Sequence, residues 1–355
     1  MKIGFIVHDM NPKTGGGRYA SELVCGIKRA GHEAVVLKEE NDGHEGLPII
    51  KRGPALFSML VKTISYFKKC DLIHAIDGYP YGIIAALVSL CLGKKLIITG
   101  LGTFAISAFY DWRWRVLMKW AYRRADAVTA ISHYTKSEIA KHVELRHIEV
   151  ITPGIDIDKF YRSRLTGENF ILSVGALKIR KGYETSIPAF ALVKKNMPDL
   201  KYVIVGSQGD TQYFKKLKNI VDKADVTKSV EFRTGISDEE LGILYSGAEL
   251  FILTSVNDDH NFEGFGLVFL EAAAAGLPVV GTSNNGIGDA MENDYNGILV
   301  DQNDINGTAE AINKILSDHD LMEKFSRNSY ELAKEHTLEK TTEQHLRVYK
   351  NILSK

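Results

Sequence analysis

Residues 262–280, FEGFGLVFLEAAAAGLPVV, decide how the rest of the chain is read. The segment begins with a glycine-bracketed turn, Glu263-Gly264-Phe265-Gly266. Residues 268–275 are good helix formers, and Gly276-Leu277-Pro278 stops them. Glu263 and Glu271 stand eight residues apart, a little over two helical turns, so one regular helix would show both carboxylates on nearly the same face. The glycines favour instead a loop that ends on the helix N-terminus. There, backbone N–H groups and the helix dipole favour an anion such as a diphosphate. Two carboxylates beside such a site do not hold phosphate themselves. They suit hydroxyl groups, and a nucleotide sugar carries hydroxyls on both sides of its diphosphate.

Outward from this segment, apolar strand-like runs alternate with helical patterns, which predicts parallel α/β sheets. Strands are expected at 3–7, 34–37, 72–75, 96–99, 127–130 and 148–151, with helices between them at 17–30, 81–91 and 113–124. The pattern then restarts, with strands at 170–174, 202–205, 230–233, 250–253, 278–281 and 297–300 and a helix at 183–196. Two doubly wound units in tandem account for this better than a short-period repeat. The joint is expected near residues 152–168, which are polar and turn-rich, and 337–355 reads as a charged amphipathic helix. The domains are therefore drawn as 1–160, 161–336 and the terminal helix 337–355.

A chain of 355 residues suits two domains. Forty-four basic residues balance 44 acidic ones, so charge gives no argument for a nucleic-acid partner. Cys25, Cys70 and Cys91 lack CxxC spacing, which fits reduced thiols of a cytoplasmic protein and not a zinc site or disulfide framework. MKIGFIVHD reads as a buried strand, without the apolar core of a signal peptide. The longest apolar run, 83–92, is far short of the ~20 residues needed to span a bilayer.

Glu263 and Glu271 with the following Ala-Gly-Leu-Pro-Val-Val resemble the signature of retaining family 4 glycosyltransferases of the GT-B fold. Further matches come in the family's order: Gly15-Gly16-Gly17, DLIHA at 71–75, ADAVTAIS at 125–132 and PGID at 153–156 with Phe160. GALKIRKG at 175–182, Val205-Gly206, YSGAE at 245–249 and NGILV at 296–300 complete the series, which covers almost the whole chain. The resemblance implies an α/β fold of two Rossmann-like domains facing across a cleft, with the last helix crossing back to the first domain. It implies a nucleoside diphosphate sugar as donor, held mainly by the second domain. The acceptor, a glycan, a lipid-linked or a small molecule, would be held by the first.

By the same resemblance, Glu271 accepts hydrogen bonds from the nucleoside ribose, and Glu263 faces the transferred sugar. Gly264, Phe265, Gly266 and Leu267 offer backbone to phosphate or sugar. Arg180 and Lys181 are the cations that stabilise a leaving diphosphate. Gly206 and Ile236 belong to the donor side, with the edge at Arg233–Ile236 a contact for the base. Two positions depart from the family: Ala176 stands where an arginine is common, and Leu101 where Thr-x-His-Gly-Thr has its histidine. Leucine cannot hydrogen-bond, so His74, His133 and His260 are candidate substitutes. His74 is preferred because it is expected to end a strand, with Asp77 nearby; Leu101 and Thr103 complete the acceptor side.

Gly15-Gly16-Gly17 lets backbone approach a ligand ahead of a helix; as GGG it fits neither GxGxxG nor a Walker loop. Asp156-Ile157-Asp158 and Asp318-His319-Asp320 have DxD spacing but lie in a connection and a polar helical region, so no metal is expected. The segment Trp112–Arg124, WRWRVLMKWAYRR, mixes basic and aromatic residues at helical spacing. It suits either a peripheral contact with an anionic membrane or a sheet-covering helix with tryptophans inside. A phosphorylase or epimerase on the same fold, and a non-catalytic nucleotide-sugar or glycan-binding partner of an active transferase, are the alternatives to transfer.

Overall fold

The computed structural model describes residues 1–51, 56–160 and 169–355. These fall into two compact units, Met1–Gly154 with Leu338–Lys355, and Ile155–Thr337. The division comes ahead of the expected 160 for a local reason. Ile155 bridges to Thr337, and its N–H bonds the His336 carbonyl, which ties it to the end of the second unit. Residues 161–168, the rest of the expected joint, lie outside the described residues.

The first unit runs β1 (Lys2–Val7), α1 (Gly15–Arg29), β2 (Glu33–Lys38), α2 (Leu56–Phe67), β3 (Leu72–Ile76), α3 (Ile83–Leu92), β4 (Lys95–Gly100), α4 (Thr103–Ile106), α5 (Trp112–Arg124), β5 (Ala127–Ala130), α6 (His133–His142) and β6 (Glu149–Val150). The second runs α7 (Ile157–Phe160), β7 (Phe170–Val174), α8 (Tyr183–Lys194), β8 (Lys201–Val205), α9 (Thr211–Lys223), β9 (Val230–Arg233), α10 (Asp238–Gly247), β10 (Leu250–Leu253), α11 (Leu267–Ala274), β11 (Val279–Thr282), β12 (Gly297–Val300), α12 (Ile305–Ser317) and α13 (His319–Glu335). The last helix, α14 (Leu338–Leu353), belongs to the first unit.

Each sheet is parallel and six-stranded, in the orders β2-β1-β3-β4-β5-β6 and β12-β11-β10-β7-β8-β9. Their strands read as continuous apolar runs because helices bury both faces. Every strand expected from the sequence is present, with no end displaced by more than one residue. Each order reverses direction once, between β1 and β3 in the first sheet and between β7 and β10 in the second. In open α/β sheets, ligands bind beyond the carboxyl ends of the strands at such a reversal.

Helix α14 is held by apolar packing and by polar groups without solvent. Leu346, Val348, Tyr349 and Ile352 are buried. His345 Nε2 lies 2.8 Å from the Tyr19 hydroxyl of α1, and the Tyr349 hydroxyl lies 2.8 Å from His74 Nδ1 of β3. A Cβ on Gly26 would collide with Thr342 Oγ1, so glycine there lets α1 and α14 approach closely.

Candidate functional site

In the second unit the chain leaves β7 at Val174 and makes a short 3-10 turn over Ile179–Lys181. Gly182 ends that turn with φ +68° and starts α8. Its conformation is left-handed, and a Cβ there would run into the Thr254 carbonyl just beyond β10. Thr254 Oγ1 donates to the Gly182 carbonyl at 2.7 Å, and Val256 N–H to the Arg180 carbonyl at 2.9 Å. The backbone thus fastens the β7 turn to the β10 loop across the reversal of the sheet.

This fastening sets the side chains. Arg180 Nη1 and Lys181 Nζ both donate to Glu263 Oε2, at 2.7 and 2.6 Å, and Ser255 Oγ donates to it at 3.2 Å. Burial alone would push the Glu263 carboxyl up, but the Lys181 and Arg180 charges and these hydrogen bonds outweigh it and hold the group at about 2. Burial draws Lys181 below the ordinary lysine value, with the Glu263 carboxylate opposing. Two cations meet one carboxylate, so the cluster carries a positive surplus at the sheet reversal.

Gly264, Phe265 and Gly266 lead from Glu263 into α11. Gly266 has φ +90° at the helix start, Leu267 is the first helical residue, and the Phe265 ring is buried. Gly286 packs against this turn, its N–H bonding the Glu263 carbonyl at 2.8 Å, and a Cβ there would strike the Gly264 carbonyl. Glu271 lies inside α11 and is buried, and the Tyr245 hydroxyl donates to its Oε2 at 2.6 Å. The structure thus brings Arg180, Lys181 and Glu263 together at hydrogen-bond distance, with Glu271 on the helix that follows. Ala176 leaves the position after Gly175 without a charge, and Arg180 supplies one five residues beyond Gly175. Gly206 follows β8, where a Cβ would meet the Gly175 carbonyl, and Ile236 follows β9, half-buried.

In the first unit Thr14 caps α1, its side chain accepting from Gly17 N–H at 3.0 Å, so Gly15-Gly16-Gly17 is the first turn of the helix and not a loop before it. A Cβ on Gly17 would collide with Asp9 Oδ1 and the Asn11 backbone, whereas Gly15 meets nothing within 4 Å and Gly16 only Leu101 Cδ1 at 3.7 Å. Gly17 is therefore needed for packing, while Gly15 leaves open space and a Cβ at Gly16 would make ordinary contact with Leu101.

His74 is not on a binding surface, which corrects its preferred place among the acceptor candidates. It sits in the middle of β3, wholly buried, with Nδ1 at 2.8 Å from the Tyr349 hydroxyl and Nε2 at 2.6 Å from Thr99 Oγ1. Burial, helped by neighbouring His345, holds its pKa well below the ordinary imidazole value. Asp77 follows β3 and is buried, its Oδ1 accepting from Gly78 N–H at 3.0 Å and Leu101 N–H at 3.4 Å. Burial pushes its carboxyl up to about 7 against those two N–H groups. Leu101 and Thr103 flank the β4–α4 turn, half-buried. His133 opens α6 and is exposed, and His260 Nδ1 lies 3.3 Å from Asp259 Oδ2.

Residues without an assigned role in the sequence reading also enter. Ser255 and Tyr245 each bond one of the paired glutamates; Tyr245 had a signal, because it opens the YSGAE match. His8, Tyr81 and Glu39 meet at the reversal of the first sheet, and their only signal was that His8 and Glu39 each follow a strand.

Helix α5 turns Met118, Ala121 and Tyr122 inward and leaves Trp112 and Val116 79% and 71% exposed. Trp112 is thus not core, while Trp114 and Trp120 are half-buried. No described helix is long and apolar enough to cross a membrane. Among the described residues, no group of three or more His, Cys, Asp or Glu is arranged to hold a metal ion. Asp318, of the second DxD, caps α13 by accepting from Leu321 N–H at 3.0 Å.

The family described as glycosyl transferases group 1 matches residues 155–332, and glycosyltransferase family 4 matches residues 13–159. The chain is similar to an uncharacterised glycosyltransferase of Methanocaldococcus jannaschii, with 27% identity over 292 residues, 82% of this chain and 78% of that protein. It is also similar to the GDP-mannose-dependent alpha-(1-6)-phosphatidylinositol monomannoside mannosyltransferase of Mycolicibacterium smegmatis, with 25% identity over 345 residues, 88% of each. Among solved structures, Anabaena HepE in complex with UDP superposes with a TM-score of 0.86 at 19% identity, over 99% of this chain and 100% of that one.

Proposed function

This chain belongs to the group 1, family 4 glycosyl transferases of the GT-B fold, and from that premise we propose that it is a retaining transferase using a nucleoside diphosphate sugar. The observation that carries the donor class is the pair Arg180 and Lys181 converging on Glu263 at the reversal of the second sheet, beside the glycine turn that starts α11. A diphosphate is an anion that this positive surplus and the helix dipole would both attract. Glu271, bonded by Tyr245, would accept from the ribose hydroxyls, and Glu263 from the hydroxyls of the transferred sugar.

In the step proposed, the bond between the anomeric carbon and the phosphate oxygen breaks, and negative charge grows on the departing diphosphate. Lys181 and Arg180 stabilise that charge without transferring a proton. The acceptor oxygen bonds the anomeric carbon on the face the phosphate leaves, which retains configuration. The acceptor's proton passes to the departing phosphate oxygen. These cations supply the charge that a metal supplies in other transferases, so the reaction is proposed to be metal-independent. The acceptor is proposed to be a glycan, a lipid-linked sugar or a small polyol bound by the first unit. Trp112 and Val116 on α5, with Arg113, Arg115 and Arg123 exposed on the same helix, are proposed to rest on an anionic membrane surface.

NMR of UDP-glucose, UDP-galactose, UDP-N-acetylglucosamine and GDP-mannose incubated with the protein, with Glu271→Ala as control, tests the reading. Slow hydrolysis of one donor is expected, with the sugar first released in its original anomeric configuration and the activity lost in the variant. Release of the inverted anomer would refute retention. Neither binding nor hydrolysis of any donor would refute the donor class.

A further inference from the structure

The carboxyl ends of the first sheet carry, strand by strand, Glu39 after β2, His8 after β1, Asp77 after β3 and Leu101 after β4. His8 and Asp77 flank the reversal of strand order. His8 has a side chain 47% exposed, while Glu39 beside it is mostly buried.

The protons of this group can be counted. The Tyr81 hydroxyl donates to Glu39 Oε2 and lies 2.8 Å from His8 Nδ1. A carboxylate has no proton to return, so the hydroxyl proton is committed to Glu39 and the Tyr81 oxygen accepts from His8 Nδ1–H. Glu39 Oε2, 3.4 Å from the same nitrogen, favours the same tautomer. The lone pair of the neutral ring is then on Nε2. Nε2 makes no hydrogen bond within the described residues; Asp9 Oδ2 is 3.9 Å away, beyond hydrogen-bond reach. The first turn of α1 leaves open space at Gly15.

We propose that His8 Nε2 accepts a hydrogen bond from a hydroxyl of a neutral sugar or cyclitol, with Tyr81 and Glu39 as positioning residues that fix its tautomer. The ligand is neutral at this point because Asp9 and Glu39, beside His8, are carboxyl groups that would repel a phosphate. The inference deepens the transferase reading, from which it takes the view that this hydroxyl belongs to the acceptor. His8 makes up for the hydrogen-bonding capacity missing at Leu101, from the neighbouring side of the reversal.

Long-range nitrogen–proton NMR of the imidazoles in the full chain, with His8→Asn to assign the signal, reads the tautomer directly. Nδ1–H is expected in the wild type and a loss of that preference in Tyr81→Phe; Nε2–H in the wild type would overturn the proposal. Titration with methyl α-D-glucopyranoside, methyl α-D-mannopyranoside and myo-inositol should shift His8 Nε2, and the shift should weaken in Tyr81→Phe and Glu39→Gln. No shift with any of them, or a larger one with inorganic phosphate, would also overturn it. With the donor found active, His8→Ala should raise the acceptor KM roughly five- to tenfold and leave donor hydrolysis unchanged, the effect of one lost hydrogen bond. His8→Gln, whose amide reaches the Nε2 position, should restore much of it, and His8→Asn, which reaches only Nδ1, should not. An equal fall in hydrolysis would mean a structural role and defeat the proposal. A wild type that hydrolyses no donor would instead sink the transferase reading, and the imidazole titration would still decide the polyol site.

Discussion

The two sheet reversals are built alike and furnished differently. In the second unit, the strand ends at the reversal bring Lys181, Arg180 and Ser255 onto Glu263, so charge is concentrated with a positive surplus. In the first unit, the corresponding strand ends bring His8 and Asp77, with Tyr81 and Glu39 behind His8, so the exposed group is an imidazole among carboxyls. The glycines follow the same division. Gly182 and Gly206 are needed because carbonyls occupy the place of a side chain, whereas Gly15 faces open space. One backbone plan thus carries a cationic cluster in one unit and the proposed hydroxyl site in the other, and the residues after the strands make the difference.

The largest expected effect tests the charged half. Lys181→Ala should lower turnover ~100- to 1,000-fold, the scale of losing one group that stabilises a leaving anion. Folding stability should fall by no more than ~2 kcal/mol, because Arg180 and Ser255 still hold Glu263. Steady-state rates and urea unfolding on the same preparation check this. Equal losses in both would make the lysine a structural residue and erase the contrast between the two reversals.

Acid should separate the units next. His345, held at about 3 by burial against an ordinary value of 6.5, and His74, also lowered, are protonated more readily in the unfolded chain. Their contribution is complete above pH 6.5 and drains as pH falls towards 3. Asp77, raised from 3.8 to about 7, works the other way and adds stability as pH falls between those values. Two lowered imidazoles against one raised carboxyl leave the first unit a net loss of stability as pH falls below 6.5. In the second unit, Glu263 at about 2 against 4.5 keeps its contribution until pH drops below 4.5. Hydrogen exchange read by mass spectrometry should therefore show β3 and α14 opening at higher pH than β7 and α11. Asp77→Asn, without the opposing gain, should widen the gap; a second unit that opens first would contradict the assignment.

These contrasts show what the sequence alone made readable. Strands were legible because parallel strands covered on both faces are plain apolar runs, and Glu263 and Glu271 because glycine and proline punctuate the helix between them. Arg180, Lys181 and Glu263 were named separately, but their convergence depends on Gly182 meeting Thr254 across the sheet, a long-range contact that no local pattern encodes. His74 was misread because a histidine in a strand looks the same whether its partners are solvent or, as here, Tyr349 from the far end of the chain. His8 went unassigned because its meaning lies in Tyr81 and Glu39, each from a different segment.

The glycines give a smaller and sharper test. Gly17→Ala should cost about 1–3 kcal/mol, because its Cβ would displace the Asp9 carboxylate and the Asn11 backbone. Gly15→Ala should leave stability unchanged or raise it by up to ~1 kcal/mol, since alanine is the better helix former. Thermal unfolding of the two variants measures the difference. If Gly15→Ala nevertheless weakens acceptor KM, the open space there is used by ligand; equal destabilisation by both would mean the turn is filled after all.

The smallest effect on stability is expected where the two units differ most on their surfaces. Among the described residues, the second unit exposes only Ile179 and Ile243 as large apolar side chains, on separate elements. The first exposes Phe104, Tyr110, Trp112, Val116 and Leu117 within one short stretch, with basic residues on the same helix. Water gives such a surface no stability, so Trp112→Ser with Val116→Ser should change unfolding by less than about 0.5 kcal/mol. It should nonetheless abolish co-sedimentation with phosphatidylglycerol vesicles, which wild-type protein should show and high salt should weaken. Wild-type protein that ignores the vesicles would remove the membrane from the reading of α5. A double variant that unfolds easily would mean that Trp112 and Val116 are covered by protein in solution, and the surface contrast between the units would then be one of packing and not of partner.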